Sequence, residues 1–302
     1  MKLADCGSHD VRAALAATGL VLRIPPVRVR VRSPIAGFAA RLADLYGEYE
    51  LHDTRDYADI DIRMLPGARL RRWVRPTVQF VVDGVTPFEP FRLDHAMPMF
   101  EWGLNWVFAH RMHQFLLLHS AVVERDGRAL LLPAWPGSGK STLAASLACA
   151  GWRYLSDEFG VVAASGMVHP FARPAALKNE SIAVIERMRP GGVGPVYPAT
   201  RKGAVAHFRV PPASLARAAD PAPIAAVVFP DFIAGAPLTV QPMTPAVAFL
   251  KLAHNAFNYE VVGERGFRAV AGIVRSAPCR IVRYGDLAAA HGAIADIVAG
   301  AA

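Results

Sequence analysis

Nine consecutive residues, Ala134-Trp135-Pro136-Gly137-Ser138-Gly139-Lys140-Ser141-Thr142, have the composition of a phosphate cradle. They follow the pattern G-x-x-x-x-G-K-[ST], with alanine in place of the first glycine. Glycine at 137 and 139 lets the backbone turn tightly and bring its N–H groups close to phosphate oxygens. Lys140 supplies a fixed positive charge for β and γ phosphates, and the Ser141 hydroxyl is placed to ligate Mg²⁺. A phosphate loop must lie between a strand and a helix. RALLLPA before it reads as a strand and STLAASLACA after it as a helix, whose N-terminal dipole favours the same anion. The nine residues are therefore expected to bind ATP with Mg²⁺.

A second element of the chemistry lies at Asp157 and Glu158, in WRYLSDEFGVV, about 17 residues beyond Lys140. Nucleotide-hydrolysing and kinase sites of this type place an acid near the metal, and strand ends beside such a loop are where ligands bind in α/β sheets. Adjacent carboxylates on one strand point to opposite faces unless the strand ends there. Asp157 is expected to face the γ-phosphate and accept a proton, and Glu158 to help hold Mg²⁺. A solvent-exposed acidic turn is the competing reading. His119 lies on the preceding strand, 21 residues before Lys140. It is expected near Asp157, where an imidazolium would favour the carboxylate.

The order of these parts resembles the catalytic domain of HPr kinase/phosphorylase: a histidine-led strand (LLLHSAVV), a turn, a second strand, the phosphate loop, a helix and an LSDE strand end. It is most similar to the HPr kinase-related proteins (kinase A type) of Gram-negative bacteria, which share HSA before the loop and a segment like PFARPAALKNES. The resemblance is specific over about 115 to 182 and looser beyond, where VVFP, HNAFN and RYGDL also fit. It implies an α/β P-loop kinase core with a mixed sheet and flanking helices. It also implies Asp157 as general base toward a serine hydroxyl with His119 as its neighbour, Ser141, Asp157 and Glu158 at the magnesium, and Arg173 and Lys178 at the nucleotide, supplying further positive charge as the phosphoryl group moves. A homo-oligomer is left open. Glutamate at 158, where the family often has aspartate, departs from the pattern. The first 95 residues match no sensing domain of that family, and no counterpart of its phosphorolysis loop is evident.

The elements that must position these residues follow from the patterning. Residues 1 to 95 read as a small, mostly antiparallel α+β region, and 96 to 302 as the catalytic domain. Residues 10 to 19 form a short helix. Val27, Val29 and Val31 alternate with Arg28, Arg30 and Arg32, which is a strand with one apolar and one charged face. Its flanking prolines and its arginines suit a sheet edge. IAGFAARLADLYG is helical; DYADIDIRMLP, PTVQFVVDG and VTPFEPFRL are short strands. The aromatic helix over 97 to 114 should pack the two regions together. Its His110 and His113 have no third ligand nearby and do not suggest a metal site. IAAVVFP and LTVQPM are strands, and TPAVAFLKLAHNAF, GFRAVAGIVRSA and DLAAAHGAIADIVAG are helices. The Pro-, Gly- and Ala-rich stretch from 186 to 220 is expected to be loops.

The chain has 302 residues, with 53% apolar and 19% charged, which is ample for a packed core and argues against disorder. A net charge of +8 favours anionic partners or simply keeps the chain soluble. The arginine stripe could contact nucleic acid, but a solvated strand face is the better reading. Nucleic acid is therefore not expected as a partner. The cysteines, Cys6, Cys149 and Cys279, are far apart and give neither a zinc pattern nor a disulfide framework. With no secretory leader and no long apolar run, the expected location is the cytoplasm. The expected activity is phosphoryl transfer from ATP to a protein, peptide or small-molecule hydroxyl, with an ATPase or ATP-gated binding module as the alternative.

Overall fold

The computed structural model describes residues 1–67, 75–135 and 137–301. It is a mixed α/β structure. The N-terminal region holds α1 (Ser8–Ala16), β1 (Leu20–Ile24), β2 (Val27–Arg32), α2 (Ala36–Tyr46), β3 (Leu51–His52), β4 (Ile60–Pro66), β5 (Thr77–Val82) and β6 (Phe91–Arg92). Among the described residues its strands form one sheet in the order β3-β1-β2-β4-β5-β6, antiparallel except for β2 beside β4.

The arginine-rich strand β2 is therefore central, not at an edge. Its valines are fully buried, while Arg30 and Arg32 lie over Asp61 of β4 at 3.9 and 3.1 Å. A carboxylate on the neighbouring strand thus offsets part of the charge on a face that the alternation sets toward solvent.

The helix α3 (Ala96–Arg111) follows β6, and Ala96 is where the patterning sets a regional boundary. One apolar cluster runs across that boundary and joins Leu3, Phe38 and Phe80 to Phe100, Phe108, Phe159, Phe171 and Phe208. Phe108 stacks on Phe171 at 3.8 Å and leans on Phe159 at 5.1 Å. Burying a side chain of this size contributes roughly 1.5–3 kcal/mol, so α3 fixes the N-terminal sheet onto the segments that flank the acids.

The second region begins with β7 (Leu116–Arg125), β8 (Arg128–Pro133), α4 (Lys140–Cys149), β9 (Arg153–Ser156), β10 (Phe159–Val162), β11 (Met167–His169), β12 (Ala175–Lys178) and α5 (Glu180–Met188). It continues with β13 (Tyr197–Thr200), β14 (Gly203–Phe208), α6 (Pro212–Ala216), β15 (Ala222–Phe232), β16 (Thr239–Pro242), α7 (Pro245–His254), α8 (Tyr259–Val262), α9 (Glu264–Ser276), β17 (Cys279–Tyr284) and α10 (Leu287–Ala299). The stretch read as loops over 186 to 220 thus contains β13, β14 and α6. Together with β12, β13 and β14 form a small antiparallel sheet.

The large sheet runs β11-β10-β7-β8-β15-β17-β16, with β9 added on β7. β8, β15 and β17 are mutually parallel, and β16 is an antiparallel edge. Alternation along the strands supplies two faces. Leu130, Leu132 and Val228 meet Leu143 and Leu147 of α4 and Ile294 of α10. Ala129, Leu131 and Val227 meet Leu252 of α7 and Val270 and Ile273 of α9. Among the described residues no helix is long and apolar enough to cross a membrane.

Candidate functional site

The parallel strands β8, β15 and β17 end at one edge of the sheet, and β8 enters the glycine-rich turn there. Gly137 and Gly139 adopt φ of +94° and +85°, a region open to glycine and strained for other residues. Space is also limiting at 139, where a Cβ would lie 2.8 Å from Phe232 Cβ and 2.9 Å from Tyr284 Oη. The Trp135 carbonyl accepts from Ser138 N (3.3 Å) and Ser138 Oγ (2.8 Å), and the Ser138 carbonyl accepts from Phe232 N at 3.3 Å. Ala134 is buried, Ser141 and Thr142 are half-buried in the first turn of α4, and Trp135 is exposed, its ring 5.3 Å from His254. Pro136 lies outside the described residues. A cavity of about 1310 Å³ is lined by residues such as Arg41, His95 and Tyr197 and contains none of the predicted site residues. The glycine turn lies outside that cavity, and a turn of this kind offers backbone N–H groups, which suit an anion better than an apolar ligand.

β9 stops at Ser156 and β10 starts at Phe159, so Asp157 and Glu158 form the link between them. The rule that neighbouring carboxylates diverge does not operate at such a break. Lys140 Nζ lies 3.8 Å from Asp157 Oδ1 and 3.7 Å from Glu158 Oε2, and donates to the Asp157 carbonyl at 2.5 Å. β9 pairs with β7 rather than with β8. The acids therefore come from one strand beyond the immediate neighbour of the loop strand, and the long lysine side chain spans the gap.

The two carboxyl groups differ in environment. Asp157 is buried, and among the described residues neither of its side-chain oxygens has a hydrogen-bond donor. Burial pushes its carboxyl above the usual range; Lys140 opposes this, as does the Ser141 hydroxyl, close by but outside hydrogen-bond geometry, and the Glu158 charge reinforces it. Burial also works against ionising Glu158, but Lys140 and His119 outweigh it and hold Glu158 well below the usual range. One carboxyl is thus made basic and its neighbour kept ionised, the separation that acid–base sites exploit.

His119 was expected beside Asp157 but faces Glu158, with Nε2 3.3 Å from Oε2. The register of β7 against β10 sets it opposite Phe159, which brings Glu158 rather than Asp157 to its ring. Its backbone is held on both sides by Asn255, at the C-terminus of α7. His119 N donates to Asn255 O, and Asn255 Nδ2 donates to His119 O, each at 2.8 Å. The spacing within HNAFN does not by itself announce that clamp.

Arg173 is not directed at the loop. It is buried, pairs with Glu101 at 2.9 Å, donates to Asn105 and lies 4.6 Å over the Phe171 ring. Its charge is neutralised inside the wall behind Asp157, which corrects the expectation that it supplies free positive charge to the site. Lys178, the last residue of β12, does belong to the site's charge cluster. Partial burial and the nearby Lys202 lower the proton affinity of its ammonium, while Glu158 and Asp157 raise it.

The residues present fit a metal that arrives with phosphates. Among the described residues no group of three or more His, Cys, Asp or Glu side chains forms a metal cage. Mg²⁺ bound together with substrate phosphates needs only one or two carboxylates, and the donor-free oxygens of Asp157 meet that requirement. No protein-family model matches the chain, and no curated protein matches it; the site rests on its own geometry.

Proposed function

We propose that the chain is a P-loop kinase of HPr kinase-like architecture that transfers the γ-phosphoryl group of ATP to a hydroxyl. The observation that carries this reading is Lys140, at the start of α4, meeting two carboxylates of which one is buried without a donor. In this reading residues 134–142 hold the nucleotide, with backbone N–H groups of the turn and Lys140 on its phosphates. Ser141, Asp157 and Glu158 would hold Mg²⁺, which supplies charge neutralisation on the phosphates. Asp157 takes the proton of the acceptor hydroxyl as its oxygen bonds to the γ-phosphorus, and the bond to the bridging oxygen breaks to release ADP. Glu158 stays ionised, steadied by His119. Lys178 adds positive charge, and Arg173 braces the wall behind Asp157. Little covalent work falls to the protein; positioning and charge stabilisation dominate such transfers. The acceptor is a serine of a protein or peptide, or a small alcohol. Residues 96–302 form the catalytic domain, and dependence on ATP places the protein in the cytoplasm.

One observation favours a second reading. A cavity of about 20 Å³ lies between Tyr154, Asp157, Glu158 and Arg173, enough for a single water; a water held by Asp157 is what an ATPase would need as its nucleophile. Incubation with γ-labelled ATP and candidate acceptors separates the two. Label on an acceptor supports the kinase, and label found solely in free phosphate supports the ATPase.

A further inference from the structure

Behind the glycine turn lies a buried polar group that the proposed chemistry does not use. Tyr284, the last residue of β17, is 1% exposed. Among the described residues its Oη has no hydrogen-bond partner. A buried hydroxyl left in this state costs free energy, so its retention needs a reason. Burial, reinforced by Asp231, pushes its phenol well above the usual range, so the group stays a neutral O–H donor at any physiological pH.

The position of that donor supplies the reason. Tyr284 Oη lies 2.9 Å from where a side chain on Gly139 would begin, so it stands directly against the backbone of the turn. The Tyr284 ring packs against Phe232 at 5.5 Å. The Phe232 N–H already bonds the Ser138 carbonyl. The ends of β15 and β17 therefore form a floor under residues 138 and 139. An anion-binding turn presents its successive N–H groups to the anion, which leaves its carbonyls for the far side, and the Ser138 carbonyl already faces that floor.

We propose that Tyr284 is a positioning residue for the phosphate loop: its hydroxyl donates to a backbone carbonyl of Gly137–Gly139 when the turn closes on phosphate. The hydroxyl lacks a partner in the open turn and gains one in the closed turn, so anion binding is coupled to the end of β17. This rests on the reading of residues 134–142 as a nucleotide loop.

The test is Tyr284→Phe, compared with wild type in two measurements: thermal unfolding of the ligand-free protein, and calorimetric titration with Mg-ATP. The expected result is unfolding at an unchanged or slightly higher temperature, with Mg-ATP affinity weakened roughly threefold to tenfold, the worth of one net hydrogen bond. An unchanged affinity overturns the inference. A clear loss of ligand-free stability also overturns it, because the hydroxyl would then already have a partner in the open turn. If wild type itself takes up no Mg-ATP, the nucleotide reading fails first, and that outcome is distinct from wild type and variant binding alike.

Discussion

Two clusters of buried charge lie on either side of the Asp157 wall, and they are built on opposite principles. Behind the wall, Glu101 receives the Tyr46 hydroxyl at 2.5 Å and Arg173 at 2.9 Å. Arg173 also bonds Asn105, and its backbone carbonyl accepts from Tyr154 Oη at 3.1 Å. Apart from Arg173 Nε, the network is satisfied. In front, Asp157 has a cation near it and no donor on either oxygen. A satisfied buried pair holds structure in place, whereas a carboxylate left without donors in a low-dielectric wall is a reactive base. The same residue types thus serve architecture in one cluster and chemistry in the other. Arg173 belongs to the first even though its sequence neighbourhood suggested the second.

This contrast can be broken by substitution. Asp157→Asn should lower phosphoryl transfer by about 10²–10⁴-fold, the usual contribution of a general base, and weaken Mg-ATP binding far less, because Ser141 and Glu158 still hold the metal. Full transfer by the variant would remove Asp157 from the role. Glu101→Ala should destabilise the fold by about 3–5 kcal/mol, since it strands a buried guanidinium. Denaturant unfolding measures this, and a loss below about 1 kcal/mol would mean that the network is solvated.

The satisfied cluster also predicts a pH dependence. His207, beside Arg173, is fully buried, and burial pushes its imidazole down to about 4. The unfolded chain takes up a proton near 6.5 and the folded one only near 4, so stability falls as pH drops through that window. The loss approaches about 3 kcal/mol at 1.36 kcal/mol per unit. Urea unfolding of His207→Gln at pH 7 and pH 4.5 should show a smaller difference than wild type. An equal difference would assign the acid sensitivity elsewhere.

Smaller effects sharpen the comparison. His119→Gln, which removes a partner of Glu158 rather than of the base, should cost transfer about tenfold. A loss matching that of Asp157→Asn would make the two act as one unit. Finally, Asp157→Asn should raise ligand-free stability at pH 7 by about 1 kcal/mol. Asp157 titrates higher in the folded chain than in the unfolded one, so its ionisation opposes folding above the unfolded value. The gain from Asn should therefore shrink as pH falls toward about 4.

Much of this was legible in the residues. The glycine turn, its strand and helix, and the acids at a strand end are local signals, and local geometry obeys them. The position of β2 was not, because its valine–arginine alternation looks alike at an edge and beside an acid-bearing strand; Asp61 decides it. The strands β13 and β14 were hidden by the Pro, Gly and Ala around them, since pairing of β14 with β12 on one side and β13 on the other overrides weak local preference. His119 was placed beside the wrong acid because the break after Ser156 and the pairing with Phe159 are tertiary facts. Arg173 and Glu101 are 72 residues apart, and no spacing rule joins them.

The central claim is that the turn carrying Lys140 grips a triphosphate. Calorimetric titration of the folded protein and its Lys140→Ala variant with Mg-ATP tests it most directly. Saturable binding of one nucleotide per chain, abolished by the substitution, is the predicted result. Absence of heat with wild type for any magnesium–nucleotide mixture, or equal binding by the variant, would contradict it.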